Sequence, residues 1–62
     1  MTTEEPKVSN RGRYNTTQTC HLLGISYNSL MKYMREGLII PSIGTGGRFF
    51  YGENILRFWR DR

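Results

Sequence analysis

The chain has 62 residues, 37% of them hydrophobic, and a formal net charge of +4. That length admits one small domain, near the lower limit at which a core holds without staples, and excludes a multidomain enzyme. One cysteine, Cys20, excludes a disulfide framework, and no apolar run approaches a signal peptide or a membrane span. The expected location is therefore the cytoplasm. The charge is uneven: residues 1–10 carry −1 (Lys7 against Glu4 and Glu5), and residues 11–62 carry +5. A basic body favours a polyanionic partner.

Residues 1–13 contain Val8 as their single aliphatic residue besides Met1, and are expected to form a disordered, basic-ended arm. Its end, Arg11-Gly12-Arg13, has two readings. One is a solvated tail. The other is a minor-groove arm, with two arginines around a flexible glycine entering a narrow A·T-rich groove.

From Tyr14 onward apolar residues become dense. Thr16 is expected to N-cap a first helix that Gly24 closes in the left-handed conformation. Ile25 follows as a buried pivot, then Ser26 caps a second helix that Gly37 ends. Two helices joined by a three-residue turn form the helix-turn-helix arrangement that lays one helix in a DNA groove. In the second helix Leu30, Tyr33 and Met34 recur at i, i+3 and i+4, which predicts a core face. Asn28, Met31, Lys32 and Arg35 form a different stripe, with two cations, an amide able to meet a base edge, and no acid.

Leu38 to Ile43 reads as an extended, β-branched stretch, and Gly44-Thr45-Gly46-Gly47 as a tight turn into a returning strand, Arg48 to Tyr51. Gly52-Glu53-Asn54 opens a last helix whose Ile55, Phe58 and Trp59 again fall at i, i+3 and i+4. The predicted fold is α+β, mostly α: a small winged helix-turn-helix with a two-stranded wing and a C-terminal helix. Residues 14–62 are its domain.

Catalytic and metal constellations are missing from the sequence. Cys20 and His21 are adjacent on a helix, about 100° apart, and lack the further Cys or His a zinc site needs. Cys20 is expected to pack as a small buried residue and His21 to be exposed. No Gly-Lys-Ser/Thr follows the glycines at 44, 46 and 47, so they are not a phosphate loop. The acids show no paired spacing for acid–base work. The expectation is no enzyme activity, no cofactor, no metal and no small-molecule ligand.

YNTTQTCHLLGIS followed by NSLMKYMREG, and then IIPSIGTGGRFFYGENI, resembles the excisionase-type branch of the MerR-like winged helix-turn-helix family. The resemblance covers residues 14–59. Thr19 and Cys20 stand where the family usually has alanines, and Tyr27 and Asn28 where it often has Arg. The resemblance implies double-stranded DNA as the partner. The expected contact residues are Tyr27, Asn28, Met31, Lys32 and Arg35 on the recognition helix and Thr45, Gly46, Gly47 and Arg48 on the wing. Thr16, Thr17 and Gln18 at the first helix N-terminus, with Arg11 and Arg13 as the arm, complete the set. A chain ending at Arg62 is expected to lack the dimerising helix and sensor region of larger regulators. That points to a recombination directionality factor of a mobile element or prophage, nucleoid-associated, which assists an integrase and self-associates cooperatively on DNA. A minimal transcription regulator, a DNA-recognition module like that of a phage terminase small subunit, and a protein-interaction adaptor remain open alternatives.

Overall fold

Asn15, rather than Thr16, caps the first helix. Its Oδ1 accepts from the Gln18 backbone N–H at 2.7 Å, and Gln18 Oε1 accepts in return from the Asn15 N–H at 3.0 Å. This reciprocal box satisfies two orphan donors, which a cap at Thr16 leaves unmet because residue 19 is a threonine. In the computed structural model, which describes residues 3–61, the chain runs β1 (Arg13–Tyr14), α1 (Thr16–Leu23), α2 (Tyr27–Arg35), β2 (Ser42–Gly44), β3 (Gly47–Tyr51) and α3 (Gly52–Asp61). It is a small α+β domain of three helices and one antiparallel sheet in the order β1-β3-β2.

Both of the first two helices stop in the same way. Gly24 at φ 68° and Gly37 at φ 76° take the left-handed conformation. The following amides, Ile25 and Leu38, then reach back to the Cys20 and Tyr33 carbonyls at 3.1 and 2.9 Å. These are paired Schellman endings, and a side chain at either glycine is disfavoured by its backbone angle. Ser26 caps α2 through its Oγ, which accepts from the Ser29 N–H. The turn between α1 and α2 is therefore the three residues expected, 24–26.

The core is a single cluster of Leu23, Leu30, Ile39, Phe50, Ile55 and Phe58. Leu30 is the member of the α2 stripe that is fully buried; Tyr33 and Met34 are half-buried on the rim, where Tyr33 lies 5.0 Å from Phe58, ring to ring. Ile25, Cys20 and Trp59, expected inside, are likewise half-buried. Thr19 takes the interior place instead, its hydroxyl neutralised by donating to the Asn15 carbonyl at 2.9 Å.

Two expectations about extended chain are corrected. Leu38 to Ile43 is not one strand: β2 starts at Ser42, and Leu38 and Ile40 are exposed while Ile39 alone turns inward. The reason is the Schellman ending, which redirects the chain after Gly37 so that one of three apolar residues faces the core. The expected free arm is also not separate from the domain. Pro6 is buried, and Arg13–Tyr14 pairs with β3 in the register Arg13↔Tyr51 and Tyr14↔Phe50. Helix α3 has no side-chain N-cap in the sequence. Its first donors are met by that same segment, as the Gly52 and Glu53 amides donate to the Gly12 and Asn10 carbonyls at 2.9 and 3.0 Å. Thus residues 9–14 are part of the fold.

Candidate nucleic-acid interface

Helix α2 presents its cations away from the core. Asn28, Lys32 and Arg35 are exposed, and their spacing of four and three residues sets them on one face. Tyr27 opens the same helix with 58% of its surface exposed. Met31 lies at the edge of this face, half-buried against the core.

The β2–β3 hairpin comes to that helix. Ser42↔Phe49, Ile43↔Arg48 and Gly44↔Gly47 pair, leaving Thr45 and Gly46 at the tip. Arg48 reaches across from β3, its Nη1 donating to the Met31 sulfur at 3.6 Å. One long side chain thus joins hairpin and helix into a continuous surface. Thr45, Gly46, Gly47 and Arg48 are all exposed.

On its other flank the hairpin walls a shallow hollow of about 320 Å³. Arg13 and Tyr14 of β1, Asn15 and Gln18 at the start of α1, and Gly44 to Phe49 line it. No acid is among these residues. Arg13 lies over two rings: its guanidinium carbon is 5.2 Å from the Phe49 ring centroid and 5.9 Å from that of Tyr51. Cation–π contact of this kind holds an exposed arginine against its own sheet.

The expected contact residues therefore divide. Met31 and Arg48 touch. Gln18, Arg13 and the hairpin residues share the hollow, although Gln18 spends its carbonyl oxygen on the capping box. Thr17 and Tyr27 line a different recess, with Cys20, His21, Gly24 and Ile25. Thr16 is half-buried. Arg11 is exposed in the turn that receives α3 and joins neither group. Arg13 is a strand residue stacked on aromatics, so it and Arg11 do not form one free two-arginine arm. Sequence reasoning missed Asn15, Phe49 and Tyr51 as parts of this surface. The Asn-x-x-Gln spacing was the available signal for the first; the aromatic platform had none without β1.

The acids gather elsewhere. Glu5 forms a two-pronged ion pair with Arg60 on α3 at 3.0–3.1 Å, which holds the Arg60 guanidinium more firmly protonated, first through the hydrogen bond and then through charge. Glu53 and Asp61 line a recess with Arg57 and Arg60. Glu36, at the end of α2, is the acid next to the basic face. Partial burial raises the Cys20 thiol above its ordinary value. Among the described residues no group of His, Cys, Asp or Glu is arranged to hold a metal ion, and no helix is long and apolar enough to cross a membrane. Compared with protein-family models, with curated proteins and with solved structures, the chain matches none.

Proposed function

We propose that this chain binds double-stranded DNA as a winged helix-turn-helix, with α2 as the recognition helix and the β2–β3 hairpin as the wing. The observation that carries the reading is the exposed Asn28–Lys32–Arg35 face, with Glu36 beside it at the helix end, joined through Met31 to Arg48 on the hairpin. A helix in the major groove places its first turn against base edges, where the Asn28 amide is able to pair bidentately with adenine. Lys32, Arg35 and Arg48 supply charge for phosphates on either side. Within this reading the protein is a recombination directionality factor, bound beside attachment sites in the nucleoid, assembling cooperatively there and steering an integrase toward excision.

The test is a titration of the full chain onto labelled duplex DNA across a salt series. Four or so phosphate contacts give a log K against log salt slope of roughly −3 to −5. A slope near zero overturns DNA binding. Adding the chain to an integrase reaction on the element's own attachment sites tests the recombination role. Unchanged excision, with DNA binding intact, leaves the same surface to a transcription regulator or a packaging module.

A second reading, a protein-interaction adaptor, is favoured by one observation. Leu38, Ile40 and Ile43 are 56%, 63% and 84% exposed along the segment between α2 and the hairpin tip. Apolar exposure of this kind on a small domain marks a partner surface.

A further inference from the structure

The hollow between the hairpin and the start of α1 has the chemistry of an anion seat. Arg13 lines it together with the backbone of Gly44, Gly46 and Gly47 and no carboxylate; Arg48 borders it too, while its guanidinium lies against Met31. A planar guanidinium is a fork suited to two phosphate oxygens, and a flexible side chain loses entropy when it closes on one. Arg13 has part of that ordering in advance. Strand pairing fixes its backbone opposite Tyr51, and the Phe49 and Tyr51 rings hold its head group.

The lining, an arginine and exposed glycine backbone with no carboxylate, suits a phosphodiester group. The exposed glycines at 46 and 47 present no side chain to hold a sugar–phosphate backbone away. We infer that this hollow seats a single backbone phosphate of the bound duplex, with Arg13 as a preset clamp. The clamp replaces the minor-groove arm expected for this segment, and it rests on the DNA-binding reading above. Its effect is positional: a phosphate held between β1 and the hairpin fixes how α2 lies in the groove.

The experiment pairs Arg13→Gln and Arg13→Lys in the full chain with duplexes in which one phosphate at a time is a neutral methylphosphonate. Far-ultraviolet circular dichroism first establishes that both variants fold. For the wild type, one particular methylphosphonate is expected to weaken binding about tenfold, in line with a charge-assisted hydrogen bond. Arg13→Gln is expected to weaken binding to the unmodified duplex by a similar factor, flatten the salt slope by about one unit, and lose sensitivity to that same methylphosphonate. Arg13→Lys keeps the charge but not the fork, and is expected to lie between. If Arg13→Gln stays sensitive to every position that affects the wild type, the clamp is overturned while DNA binding stands. If the wild type binds no duplex, both readings fall together. A variant that fails to fold is replaced by Phe49→Leu, which removes the nearer of the two rings under Arg13 and is expected to blunt the same phosphate's effect; undiminished sensitivity there overturns the preset clamp equally.

Discussion

Arg48 Nη1 lies 3.6 Å from the Met31 sulfur, so the hairpin is tied to α2 through an arginine that remains exposed. The contact orients the guanidinium without neutralising it. A neutral thioether leaves the guanidinium its full charge.

Arg48→Ala is therefore expected to weaken cognate and random duplexes by similar factors and to flatten the salt slope by about one unit. Fluorescence anisotropy with two DNAs over a salt series measures both. Loss of sequence preference with Arg48→Ala alone makes the hairpin the reader and α2 the positioning element.

Asn28→Ala separates base reading from charge. It is expected to cost about 1–3 kcal/mol on the cognate site and little on random DNA. Asn28 is exposed in the first turn of α2, so the melting temperature should stay near that of the wild type. An equal loss on both DNAs removes Asn28 from base recognition.

Leu30→Ala addresses the core. Leu30 is fully buried against Leu23, Ile39, Phe50, Ile55 and Phe58, and truncation is expected to cost about 2–5 kcal/mol. In a domain of this size that is most of the stability, and circular dichroism should show unfolding at ambient temperature. Tyr33→Ala, at the half-buried rim, is expected to melt between Leu30→Ala and wild type. A wild-type melt for Leu30→Ala reverses the faces of α2.

How much of this was legible follows from the range of each signal. The caps of α2, the glycine stops and the hairpin turn are local, and Ser26, Gly24, Gly37 and Thr45–Gly46 all stand where their residue types put them. Asn15 and Thr16 are both cap formers, and only the partner at Gln18 decides between them. Strand β1 is two residues long, too short for any alternation, and exists because β3 offers it an edge. Arg13 therefore read as tail until its rings and strand partner were in view.

Gly52→Ala tests the docking of the first segment. A methyl group there collides with the Ser9 carbonyl, which is backbone and has no rotamer to yield. The expected result is a displaced segment: the Gly52 and Glu53 amides lose their acceptors, amide exchange at residues 9–14 accelerates, and the melting temperature falls. Glu5→Gln removes only an exposed ion pair and should change stability little. Wild-type exchange in Gly52→Ala shows that the segment contributes nothing to α3.

Cys20 gives a pH test. Burial raises its thiol pKa, so less thiolate is present at a given pH. Alkylation by iodoacetamide at pH 8 is expected to be slower than for an unstructured cysteine peptide, and to reach the peptide's rate on unfolding. Faster reaction in the folded chain contradicts the raised value.

The pairing of Tyr14 with Phe50 has a bearing on how the chain reaches this state during synthesis. The α1–α2 unit and the β2–β3 hairpin are both built from near neighbours in the chain. Strand β1 leaves the ribosome before either, yet β3, its partner strand among the described residues, is made after both of the first two helices. Closing that loop brings together the most distant parts of the ladder, an ordering penalty that grows slowly with loop length and is met only when the hairpin is already in place. The pairing that sets Arg13 on its aromatic rings therefore spans most of the chain, and the same segment that makes it also supplies the acceptors for the first amides of α3.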